Sequence, residues 1–155
     1  TGDRWGVAYG WTTTEDGRAQ SRLMVRVIVG DLLSVGYAQP MLISVKSTLT
    51  GDLLAALMRQ YEVLDAARAL KGNELPYYAF SLPVGPGEPV TRGKNGSSKE
   101  ITPPVAMIPE PITRAYLVDH WLPRQHTAAV EGLAEGALVW SVRASQAITA
   151  GDETA

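Results

Sequence analysis

The stretch Trp5-Gly6-Val7-Ala8-Tyr9-Gly10-Trp11 alternates without a break between large and small residues. Trp5, Val7, Tyr9 and Trp11 fall on one side; Gly6, Ala8 and Gly10 fall on the other. A period of two with aromatic residues marks a strand, because successive side chains of extended backbone point to opposite faces. Which side is buried then decides how the rest of the chain packs. The glycine-and-alanine side offers almost no side chain to bury, which favours Trp5, Tyr9 and Trp11 as core.

Working outward, Glu15-Asp16-Gly17-Arg18 reads as a turn in which Gly17 supplies a positive φ. A second strand is expected over Ser21 to Val29, with Leu23, Val25, Val27 and Val29 on one face and Arg22, Met24, Arg26 and Ile28 on the other. A third spans about Gln39 to Thr48, with Met41, Ile43 and Val45 opposed by Leu42, Ser44, Lys46 and Thr48. Short connections between these strands predict an antiparallel meander.

The period then changes. Leu53, Leu54, Leu57, Met58, Tyr61, Leu64 and Ala67 recur at helical spacing, which predicts one helix over 51–71, N-capped by Thr50 and ended by Gly72. Tyr77 to Val84 reads as a strand. It leads into Gly85–Glu100, a stretch with four glycines, two prolines and three basic residues that suits a long hairpin tip or a mobile loop. Ile101 to Ile108 is expected as a fifth strand, restricted by Pro103 and Pro104 to an edge or bulge. Helices are expected over Ile112 to Leu122 and about Gln125 to Ala147, separated by Pro123. The whole of 1–155 reads as one domain: a strand-rich core over 1–110, a helical extension over 111–148 and a frayed tail over 149–155.

The totals bound the function. The chain has 155 residues, 45% hydrophobic and 19% charged, with a mean hydropathy of −0.03. That length and balance suit a globular domain with a hydrophobic core. No apolar run reaches the roughly 18 residues of a membrane span, and no signal-peptide pattern is present. The first residue is Thr1 rather than Met, which leaves room for residues ahead of it. With no cysteine, disulfides, thiolate nucleophiles and cysteine-bound metals are excluded, and the expected location is the cytoplasm. The net charge of −2 means that any nucleic-acid contact has to come from a local basic patch.

No catalytic pattern emerges, and the expectation is a protein that is not an enzyme and carries no cofactor or metal. Gly87 and Gly93-Lys94 fail the phosphate-loop spacing, with five residues between the glycines and Asn95 after the lysine. His120 and His126 lie six apart around Pro123, which does not place two metal ligands on one helical face. No Gly-x-Ser-x-Gly elbow is present. The carboxylates are scattered.

The expected order of three strands, a helix, two more strands and C-terminal helices resembles the OB-fold, over roughly residues 5 to 108. The resemblance implies an α+β, β-rich fold: a five-stranded antiparallel barrel or sheet with one helix between strands three and four, followed by C-terminal helices. A sandwich with helices covering one sheet face is the competing arrangement. OB-fold proteins often bind single-stranded nucleic acid on the face of strands two and three and the adjoining loops. Carried onto this chain, that implies single-stranded DNA or other nucleic-acid binding by Arg22, Arg26, Lys46, Arg92, Lys94 and Lys99, with Trp5, Tyr9 and Trp11 as stacking residues. Each also has a plainer role: the cations as the solvated face of a sheet, the aromatics as core, the loop as a tip. The alternative function is a structural or assembly protein, of phage or mobile-element type, that oligomerises through its C-terminal helices.

Overall fold

The structure is a computed structural model that describes residues 7–72, 74–93 and 96–151. In chain order its elements are β1 (Val7–Thr13), β2 (Ala19–Val27), α1 (Gly30–Ser34), β3 (Met41–Lys46), α2 (Thr48–Met58), α3 (Gln60–Lys71), β4 (Val84–Pro86), β5 (Val90–Arg92), β6 (Lys99–Ile101), β7 (Pro104–Ala106), α4 (Arg114–His120), α5 (Arg124–Glu135) and α6 (Ala137–Thr149). The chain divides into two compact units, Thr1–Thr50 with Leu122–Ala155, and Gly51–Trp121.

In the first unit β1, β2 and β3 form an antiparallel sheet in that order. Val7, Val25 and Ile43 share one row, as do Tyr9, Leu23 and Val45; Ala8, Met24 and Ser44 lie on the opposite face. Helix α6 packs against this second face. Ala8, Met24, Ala144 and Ile148 are buried together, with Trp140 against them. The approach is close because β1 carries no bulk there: a Cβ at Gly10 would lie 2.9 Å from Ile148 Cγ2. The Tyr9 amide also donates to Ser145 Oγ at 3.2 Å, tying α6 to the outer edge of β1. After β3, Ser47 takes a left-handed φ of 55° and its amide donates to the Ser21 carbonyl at 2.8 Å, turning the chain into α2. Thr50 lies inside the helix, its hydroxyl donating to the Ser47 carbonyl at 2.7 Å.

In the second unit Val63, Ala67, Ala79, Phe80, Tyr116 and Leu117 form the core. The single helix expected over 51–71 is divided at Arg59. The Tyr77 hydroxyl donates to the Leu57 carbonyl at 2.5 Å, and the Arg59 amide shares the Ala55 and Ala56 carbonyls at 3.3 Å each. A side chain inserted into the helical ladder is a recognised cause of such a break. Buried Gln60, next in the chain, donates from Nε2 to the carbonyls of Tyr77 (3.2 Å) and Phe80 (2.6 Å). Those bonds hold Tyr77–Ala79 as a 3-10 turn, where the sequence led us to expect a strand. The Gly- and Pro-rich stretch forms a two-part hairpin arm: β4 pairs with β7, and β5 with β6 further out. Thr113 caps α4, its hydroxyl accepting from the Tyr116 amide at 3.1 Å.

The five-stranded OB-like barrel or sheet is therefore corrected. Among the described residues the sheets have three, two and two strands, and none closes into a barrel. Closure needs strands four and five to return to the first three. Among the described residues the later strands are three residues long and pair only with one another, while α6 occupies the sheet face.

Candidate interaction surface

The sheet separates the two halves of the expected nucleic-acid site. Tyr9 and Trp11 project from the face opposite α6, 43% and 55% exposed, with their rings edge-to-face at 6.4 Å and 82°. They are not core, because the bare side of β1 is the one that receives the helix. Arg22, Arg26 and Lys46 belong to the α6 side, as their register opposite Gly10 and Leu42 requires. Arg22 Nε donates to Ser44 Oγ at 3.2 Å. Arg26 sits with its guanidinium carbon 5.3 Å from the centre of the Trp140 ring, a cation–π contact that ties the sheet to α6. Lys46, opposite Arg22, is exposed. Trp5 and Lys94 lie outside the described residues.

On the hairpin arm, Arg92 forms a two-pronged ion pair with Asp52, with Nη2 at 2.9 Å from Oδ1. The hydrogen bond to Asp52 raises the pKa of the guanidinium above its ordinary value, and the side chain stays charged and engaged. Lys99 faces Arg92 in register and is exposed. His120 stacks on the Tyr116 ring at 4.0 Å, and its Nδ1 lies 2.9 Å from the Tyr116 carbonyl. No group of three acidic or histidine residues able to hold a metal occurs among the described residues. None of their helices is long and apolar enough to cross a membrane.

Two tyrosines of the second unit are displaced from ordinary titration. Burial, then the neighbouring Tyr61, raises the Tyr77 pKa well above its usual value, and burial raises that of Tyr116. The unfolded chain gives up these protons near pH ~10, whereas the folded chain holds them to higher pH. Their contribution is therefore complete below about pH 10 and is lost as pH rises from there toward the folded pKa. The urea midpoint is expected to fall more steeply between about pH 9 and 11 in the native chain than in Tyr77→Phe. Parallel curves would count against this.

The feature that sequence reasoning missed is the outer edge of β3. Among the described residues no strand pairs with it. Met41, Leu42 and Ile43 are 46%, 50% and 41% exposed, and Val35 and Tyr37 just before them are 79% and 50% exposed. Three consecutive apolar residues in a strand were the available signal: a strand with one solvated face alternates instead. In comparisons with known proteins, no family model, curated protein or solved structure matches this chain.

Proposed function

We propose that this chain is a noncatalytic protein-interaction module that assembles with a second copy of itself by strand addition along β3. One observation carries the reading: among the described residues β3 is an unpaired, apolar edge without the usual protection. Natural edges are blunted by charges, prolines, bulges or a covering element. The other edge of this sheet has such cover, since Ser145 of α6 takes the Tyr9 amide. Between Met41 and Lys46 there is no proline, and the only charge is the terminal lysine.

The strand is also self-complementary. A two-fold axis beside Ile43 sets Met41 of one copy against Val45 of the other and Leu42 against Ser44. Lys46 then falls opposite Pro40, clear of its own copy. The same patch serves both copies, so the assembly closes as a dimer rather than growing into a fibre. Sedimentation velocity over a concentration series tests this. A monomer–dimer equilibrium is expected, with a dissociation constant on the order of micromolar for so small an edge. A monomer throughout overturns the reading.

A second reading rests on the exposed Tyr9–Trp11 pair, which offers two aromatic surfaces for stacking bases. Single-stranded oligonucleotide should then quench tryptophan emission at about 50 mM salt and dissociate as salt rises. Trp11→Ala should remove most of the quench. Without saturable quenching at low salt this reading fails. The net charge of −2 and the engagement of Arg26 and Arg92 place it second.

A further inference from the structure

The second unit holds a cleft of about 550 Å³ between α3 and α4, within the size range of small-molecule sites. Phe80 and Trp121 meet edge-to-face in it at 5.1 Å and 78°. Their backbones are joined by a β-bridge, and the Ser81 amide donates to the His120 carbonyl at 2.7 Å beside them. These two rings are held in place by the fold, so a ligand would not have to order them. Leu117 is part of the core beneath, while Leu70 and Val118 are 66% and 67% exposed at the cleft.

One lining residue breaks the apolar pattern. Arg114 is exposed, and among the described residues it makes no ion pair or side-chain hydrogen bond. The other arginines described above are engaged: Arg92 with Asp52, Arg26 with Trp140 and Arg22 with Ser44. An apolar cleft with a single uncommitted cation selects a ligand with an apolar body and one anionic head. The guanidinium presents two parallel N–H donors, the geometry that a carboxylate accepts.

We infer that this cleft binds an amphipathic monocarboxylate, its hydrocarbon part against Phe80, Leu117 and Trp121 and its head group on Arg114. The site is independent of the β3 edge and can fail or succeed separately from it.

Decanoate and decanol, matched in chain and differing in charge, test the inference by calorimetric titration of the full chain. Decanoate is expected to bind about tenfold more tightly than decanol, the difference a charge-assisted hydrogen bond supplies. Arg114→Gln should bring decanoate down to the level of decanol while leaving decanol unchanged. Val118→Glu, at an exposed position that costs the fold little, should weaken both. Equal affinities of the native chain for the two probes would overturn the inference, as would the absence of saturable decanoate binding up to about 1 mM. Should Val118→Glu lower the sedimenting mass and leave decanoate binding intact, the cleft is a protein contact and the inference fails.

Discussion

Gly10→Val is expected to destabilise the first unit by about 3 kcal/mol, the upper range for overpacking a well-filled interior. On strand propensity alone the opposite sign follows, since a β-branched residue favours extended backbone and glycine weakens it. Packing decides, because the position faces a helix rather than solvent. Even a single Cβ at Gly10 would stand 2.9 Å from Ile148 Cγ2 and 3.3 Å from Thr149 Oγ1. Ile148 cannot easily yield: it is 1% exposed and packed with Ala8, Met24 and Ala144. Thermal unfolding followed by circular dichroism should show a midpoint lower by roughly 9 °C for a chain of this size. Trp11→Ala, one residue along on the exposed face, should stay within about 0.5 kcal/mol of the native chain. Ile148→Ala combined with Gly10→Val should cost less than the sum of the two single changes, because removing Cγ2 relieves the clash. A Gly10→Val midpoint within a degree of native would overturn the close packing of Ile148 on Gly10.

That glycine also shows how far the sequence could be read. The alternation at 5–11 and the two runs after it do form β1, β2 and β3 in the expected antiparallel order. Periodicity resolves a strand into two faces, but it does not say which face meets a partner. Small residues on one side are compatible with a poor core or with close approach of a helix. The deciding helix, α6, comes some 130 residues later, and nothing local to β1 announces it. The small side of β1 favours the aromatics as core, the plainer of their two expected roles, whereas Tyr9 and Trp11 are exposed and Ala8 is fully buried. The helix over 51–71 is legible in the spacing that includes Leu53 and Ala67, both buried, although Met58 and Tyr61 of the same stripe are exposed. Its break at Arg59 is not, because the Tyr77 hydroxyl that takes the Leu57 carbonyl reaches across 20 residues. The OB-like order failed for the same reason: it depended on strand partners for residues 77–108 that local patterns do not choose. For the candidate site, residue types were legible and their grouping was not. The sequence offers Arg92 as a candidate nucleic-acid contact on the loop, and its ion pair with Asp52, 40 residues earlier, carries no local signal.

Leu42→Glu is expected to raise the dissociation constant of the β3-paired dimer by about 100-fold, with little loss of fold. Leu42 is half exposed and lies opposite Arg26 within its own sheet, so a carboxylate there has a cationic neighbour in the monomer. In the dimer each new carboxylate faces Ser44 of the other copy, and the two lie diagonally across the two-fold axis on one face. Their repulsion and the loss of Leu42's apolar contact both oppose pairing. The same substitution is therefore tolerated in one copy and repelled between two. Assembly through the C-terminal helices makes a different forecast. Removing them is not a clean test of it, since Tyr116 and Leu117 belong to one core and Ala144 and Ile148 to another. A truncation at 111 would unfold the chain rather than dissociate it. Val139 on α6 is 56% exposed, so Val139→Glu probes the helix surface without entering a core. Sedimentation velocity should show Leu42→Glu monomeric where the native chain and Val139→Glu are dimeric. The reverse result would move the interface from β3 to α6 and end the strand-addition proposal.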